Sequence, residues 1–128
     1  MNQIELDSVI KSHQLWLAGI GGVKANLSKQ DLTGLNLSGV NLSWANFHRA
    51  ILNKADLSKA NLSGCNLTCS KLVCADIRGT NLSQATLYKV DFRGVVTDLK
   101  KHYLNRRVGS ENVFDRTSVK TNFQERYR

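Results

Sequence analysis

The sequence predicts an all-β fold whose chain turns at every fifth residue and stacks on itself, and three observations lead there. Every fifth residue from Leu27 to Phe92 is Leu, Ile or Phe, fourteen in succession. The columns beside it are as regular: Ala stands at seven of the positions two before, Asn or Asp at eleven of those one before, and Ser or Thr at most of those one after. All five glycines of this stretch, Gly34, Gly39, Gly64, Gly79 and Gly94, fall in the remaining column. A strict internal period makes each repeat one structural unit, whose apolar residue is buried only against its neighbours in the stack.

The period of five excludes a helix. Five helical residues advance about 500°, so the leucines would spiral around the rod and form no apolar face. Within one pentad the order small, polar, apolar, polar alternates as in a short strand, with the small residue and the Leu inward. Five is odd, so a straight strand would send the next Leu outward, and the fifth residue must absorb a bend. Glycine suits that position because it reaches positive φ without steric cost.

The Ala-Asn-Leu-Ser-x consensus over 25–94 resembles the pentapeptide-repeat family. That resemblance implies a right-handed, four-sided β-solenoid with four pentads per coil, so fourteen pentads give three and a half coils. Departures are few: Ile51, Lys71 and Thr86 stand in the Asn/Asp column, and Gln30, Leu35, Val40, Cys65, Ser70, Thr80 and Val90 in the Ala column. The large Leu35 and Val40 predict a first coil that is wider than the rest or contacts a cap.

A solenoid needs covers on its open ends. The expected organisation is a capping helix and loop over 1–24, the array over 25–94 and a helical or irregular cap over 95–128. Leu6, Val9, Ile10, His13, Trp16 and Leu17 fall at helical spacing, with Asp7 as N-cap and Gly19, Gly21 and Gly22 as terminators. They predict a helix over 6–18 lying on the first coil. Glu5, Asp7 and Lys11 interrupt the apolar stretch and no basic segment precedes it, which argues against a signal peptide, and no apolar run is long enough to span a membrane. A cytoplasmic location is expected. Beyond Gly94, Thr97 is placed to cap a helix over 98–107 that buries Val96, Leu99 and Tyr103 and exposes a basic cluster of Lys100, Lys101, Arg106 and Arg107. Residues 110–128 read two ways: as degenerate pentads over 112–121 with Phe114 and Val119 inward, or as a terminal helix striped by Val119, Phe123 and Tyr127.

Little in the chain points to catalysis. Cys65, Cys69 and Cys74 lie four and five residues apart with no His nearby in sequence, which matches no zinc pattern, and their odd number favours free thiols. Cys65 stands in an inward column and reads as core. His13, His48 and His102 occupy separate segments with no Ser or Cys nucleophile beside them, and no glycine loop is built to cradle phosphate. The reading is a binding protein without catalytic residues, cofactor or metal.

The exterior must then carry the function. Of the net charge of +8, the array holds eight bases against four acids and residues 95–128 hold the same numbers. Twenty residues per coil, as the resemblance implies, would stack Lys29, Arg49, Cys69 and Lys89 in one column, with Lys54 and Lys71 on the adjoining face, making a basic ridge beside Ser28, His48, Thr68 and Tyr88. Bases at outward bends can serve solubility alone; as a site, they suit an acidic protein face or nucleic acid. A rival apolar patch joins Ile51 to Val73 and Cys74, and Trp44 is a further candidate anchor.

The resemblance also implies a sharper role, since some pentapeptide-repeat proteins mimic DNA, bind type II topoisomerases and protect them from quinolones. Mimicry needs an acidic rod, and this array is basic. Three function classes follow: a protein that docks on and inhibits or modulates a nucleic-acid-handling complex, such as a phage or mobile-element inhibitor of a bacterial defence complex; a topoisomerase-protecting mimic; and a direct nucleic-acid-binding module. A homodimer through the C-terminal segment is a further option.

Overall fold

Residues of the Asn/Asp column pair in parallel with the residue twenty positions later, from Asn26 with Asn46 and Asp31 with Ile51 up to Asp76 with Val96. These bridges form four columns, so a coil has twenty residues and four sides. The computed structural model describes residues 1–108, apart from the side chains of residues 101, 102 and 105. Each bridge is isolated, and the described elements longer than a bridge are two helices, α1 (Gln3–Leu17) and α2 (Lys101–Val108). The all-β expectation is corrected accordingly: a bend every five residues leaves one paired residue per side, giving a ladder of bridges in place of extended strands, and helices stand on either side of it.

All fourteen fifth-column residues take φ between 58° and 73°, and nine of them are not glycine. A left-handed conformation costs an L-residue about 1 to 2 kcal/mol. Hydrogen bonds offset that cost. The bend N–H donates to the next coil, as from Lys29 to the His48 carbonyl (2.9 Å) and from Arg49 to that of Thr68 (3.0 Å), while a turn closes from Gln30 N–H to the Leu27 carbonyl (3.2 Å). The Asn/Asp side chain accepts the N–H two residues on, for example Asn46 Oδ1 from His48 (2.9 Å). Such local side-chain acceptors favour turns. Inside, the Leu/Ile/Phe column is buried throughout. Two polar inward residues find carbonyls of the coil below, Cys65 Sγ donating to Leu42 (2.9 Å) and Thr80 Oγ1 to Leu57 (2.6 Å), while the buried Ser70 hydroxyl has no hydrogen-bond partner among the described residues.

The first coil has no coil beneath it, and α1 supplies the missing partners. Gln3 accepts from Asn36 N–H (2.8 Å) and donates to its carbonyl (3.0 Å), which reproduces both bonds of a bridge. Gln14 donates to the Asn41 carbonyl (2.8 Å). His13, fully buried, accepts at Nδ1 from Ala25 N–H and reaches the Ser43 carbonyl with Nε2, both at 2.9 Å. Leu6 is buried, and Val9 and Ile10 pack on the core together with Leu35 and Val40. The expected start at residue 6 is corrected: Asn2 is the N-cap, in a capping box with Glu5, and the Asp7 carboxylate accepts instead from Gln3. Trp16, expected to pack, stays 37% exposed.

At the other end the ladder runs past Gly94. Val96 donates to Ala75 (2.9 Å) and accepts from Ile77 (2.8 Å), and Thr97 is fully buried in the Leu column. Thr97 therefore does not cap a helix over 98–107; its Oγ1 accepts from Leu99 N–H (3.0 Å) and α2 begins at Lys101. Leu104 and Val108 are fully buried among the described side chains of α2, while Leu99 and Tyr103 are partly buried. Arg107, expected to be exposed, turns to the rim of the coil and donates to the Tyr103 hydroxyl (2.7 Å) and to the carbonyls of Leu82 and Ala85. Val108 accepts from Lys89 N–H (2.8 Å), the bond that Tyr88 accepts from Cys69 one coil earlier, so α2 returns the chain in the twenty-residue register. The two readings of 110–128 and the Lys101 side chain lie outside the described residues.

Candidate interaction surface

The register assigns every outward side chain to a side or a bend. Side I comprises residues 25–28 and those twenty, forty and sixty later; sides II, III and IV begin likewise at 30, 35 and 40. The bend between IV and I stacks Trp44, Gly64 and Gln84, with Lys24 directly preceding side I, and the bend between I and II stacks Lys29, Arg49, Cys69 and Lys89.

Charge is segregated on this frame. Asp31 and Asp91 lie on side II, and Asp56, Asp76 and Asp98 on side III. Side I and its two bends carry Lys24, Lys29, Arg49 and Lys89 and, among the described residues, no acid. The structure thus brings together three of the five bases of the expected ridge. Lys54 stands one bend away, and Lys71 lies on side II, close enough to Asp91 to help hold that carboxyl in its charged form. Sequence reading missed Lys24, which precedes the first counted pentad; counting back twenty from Trp44 finds it. On sides II and III arginines answer two of the five acids, with Arg78 on Asp76 (2.8 Å) and Arg93 on Asp91 (2.7 Å). Hydrogen bonds from Arg78 hold the Asp76 carboxyl below its ordinary pKa; at Asp91 burial is the largest single influence and works the other way, and the bonds and charge of Arg93 together with the charge of Lys71 outweigh it.

The Asn/Asp column sets a second contrast. On side I, Asn26, Asn46 and Asn66 spend Oδ1 on the N–H groups of Ser28 (3.2 Å), His48 (2.9 Å) and Thr68 (3.0 Å). The amide NH2 is what remains for a ligand, so side I presents donors, as side IV does with Asn41, Asn61 and Asn81; the bases of the adjoining bend set side I apart. Where Asp replaces Asn, on sides II and III, the same position presents negative charge.

Two exposed aromatics border side I. Trp44, 52% exposed, lies flat on Gly64: a Cβ there would stand 2.4 Å from Trp44 Cε3, so the glycine is what seats the ring. Directly before side I, Lys24 has its Nζ 6.0 Å from the centroid of Trp16, whose ring in turn packs 5.3 Å from His13. Tyr88, 51% exposed, has Lys89 Nζ 5.3 Å from its centroid. The rival apolar patch is on side II: Ile51 pairs with Lys71, Val73 N–H bonds Asn53 Oδ1 (3.0 Å), and both are half-buried, with Cys74 exposed at the adjoining bend. Of the C-terminal cluster, Lys100 and Arg106 are exposed. Among the described residues no His, Cys, Asp and Glu side chains group to hold a metal ion, and no helix is long and apolar enough to cross a membrane.

Comparison with known proteins agrees with this geometry. The family model described as pentapeptide repeats matches in eight copies, over residues 23–49, 41–76 and 60–96. Among solved structures, the pentapeptide repeat protein Rfr23 from the cyanobacterium Cyanothece 51142 is 30% identical with a TM-score of 0.55, over 56% of this chain and 48% of that one. The chain thus spans about half the length of Rfr23. The pentapeptide repeat protein alr5209 from Nostoc Pcc 7120 is 28% identical over 70% of this chain and 78% of that one, with a TM-score of 0.43. No curated protein matches the sequence.

Proposed function

The chain belongs to the pentapeptide-repeat family, and from that premise we propose a non-catalytic binding protein that docks its basic ridge on a nucleic-acid-handling complex and inhibits or modulates it. It would act in the bacterial cytoplasm, as a phage or mobile-element inhibitor of a defence complex or as a bacterial regulator. The observation that carries this reading is the gathering of Lys24, Lys29, Arg49 and Lys89 around side I with no acid among the described residues there. Charge of one sign on one side of a rod steers an oppositely charged partner and fixes its orientation. A topoisomerase mimic would need the opposite surface, and two of the acids of sides II and III, Asp76 and Asp91, are answered by Arg78, Arg93 and Lys71.

Affinity capture from nuclease-treated bacterial lysate tests the reading, using the protein and its R49E/K89E and I51S/V73S variants. A protein recovered by the parent and by I51S/V73S, lost with R49E/K89E and released by salt, is the expected result. Loss with I51S/V73S alone would move the interface to side II, and recovery of nothing but nucleic acid in untreated lysate would replace the protein partner with direct binding.

A further inference from the structure

The reading above leaves open what the partner presents to side I, and the donor pattern answers that. The amides of Asn26, Asn46 and Asn66 recur once per coil, about 4.8 Å apart, beside a column of bases at Lys29, Arg49 and Lys89. Such a strip suits a ligand made of closely spaced acceptors and negative charges. The bend N–H groups of Lys29, Arg49, Cys69 and Lys89 all donate to the next turn of chain, so no backbone nest remains there to cradle phosphate. A duplex is wider than one side of five residues and would meet Asp31 and Asp91 beyond the ridge. The four bases of side I are also few, because electrostatic affinity for a duplex grows with the number of phosphates neutralised. An extended polypeptide is narrow enough to stay on side I, and its carboxylates accept from amides and bases alike. At the lower end, Trp44 is held flat on Gly64 with half its surface open, so an apolar side chain meets an anchor whose rotamer is already set.

We infer that side I binds an extended acidic polypeptide segment lying along the solenoid axis, with carboxylates on Asn46, Asn66, Arg49 and Lys89 and an aromatic or aliphatic side chain on Trp44. This rests on the proposed binding role and names the chemistry of its partner.

The test uses the full chain and fluorescence anisotropy. The probes are a labelled twelve-residue peptide of alternating Glu and Ser with one Phe, the same peptide with Ser for Phe, single-stranded dT of twelve nucleotides and a duplex of twelve base pairs. The informative variant is N46D/N66D. Asp already fills this column on sides II and III and keeps the Oδ1 acceptor, so the coil stays intact while donors become charges. N61D/N81D adds the same charge on side IV as a control. The Phe peptide should bind the parent about tenfold tighter than either nucleic acid, and N46D/N66D should weaken it about tenfold while N61D/N81D changes it less than about threefold. Trp44→Ala should abolish the advantage of the Phe peptide over its Ser version. Tighter binding of either nucleic acid, equal effects of the two Asp pairs, or no peptide binding up to about 1 mM would overturn the inference. If the lysate partner still depends on Arg49 and Lys89 while the peptide fails, this inference falls and the binding role stands; if both fail, both fall.

Discussion

Replacing His13 by Ala removes the single side chain that ties α1 to both ends of the first coil. Two backbone groups lose their partner, the Ala25 N–H and the Ser43 carbonyl, each bonded at 2.9 Å and both in buried residues. A buried group left unsatisfied costs about 1 to 3 kcal/mol, so the pair should cost about 2 to 6 kcal/mol. Folded domains hold only about 5 to 15 kcal/mol in all. Protonation attacks the same joint. Nδ1 accepts from Ala25, which leaves Nε2 to donate to Ser43 and makes the neutral tautomer the one that fits. Burial lowers the imidazole pKa, the bond to Ser43 opposes that, and nearby Lys24 adds to the lowering. With the folded value below the unfolded one of about 6.5, the contribution is complete above that pH and is lost as pH falls through the folded value, by at most about 1.4 kcal/mol per pH unit for one proton. Urea denaturation of the parent and of His13→Ala at pH 7.5 and 5.5 measures both effects. The parent should lose more stability between these pH values than the variant. A His13→Ala cost below about 0.5 kcal/mol, the level of an ordinary surface change, or an identical pH dependence in both proteins would refute the argument.

Leu62→Ala should cost about 2 to 5 kcal/mol in the same assay, because a stack held by coils above and below cannot close around the cavity. Ser63→Ala, next in sequence but facing out, should stay within about 0.5 kcal/mol. Thiol reactivity separates the cysteines: a thiol reagent at pH 8 should modify exposed Cys74 in the native protein and reach Cys65, whose pKa burial pushes up to about 12, only on unfolding. Equal rates at the two thiols would contradict the inward assignment of Cys65.

The array was legible because one physical demand, burial of a Leu against its neighbours, recurs at a fixed interval and marks every coil. The bends were legible as positions, yet glycine fills only five of fourteen, and the bonds that hold Lys29 or Arg49 at positive φ are made to His48 and Thr68 of the next coil. The helix start at Gln3 was written in Asn2 and Glu5, a capping-box spacing that Asp7 overshadowed. Thr97 resembled a cap because Thr is a good one, and only the continuing register shows it buried in the Leu column. Arg107 reads in sequence as a solvent cation; its inward turn depends on the Ala85 carbonyl, which a following coil would otherwise take up, and on that of Leu82, which also accepts from Ala85 N–H. The donor strip of side I needed atomic detail, since sequence does not say which atom of Asn46 the backbone consumes.

The twenty-residue register also makes evolutionary length change come in unequal steps. An inserted residue sends every later Leu to the wrong position, and a single inserted pentad restores the interior but rotates all that follows by a quarter turn. Tyr88 would then sit over side II and Lys89 at its far bend, out of line with His48 and Arg49. Only four pentads together, one full coil, lengthen the rod by about 4.8 Å while keeping its azimuth. A lineage that selects for side I is therefore expected to gain or lose repeats in fours between Trp44 and Lys89, whereas one that selects only for a stable rod is free to vary by single pentads.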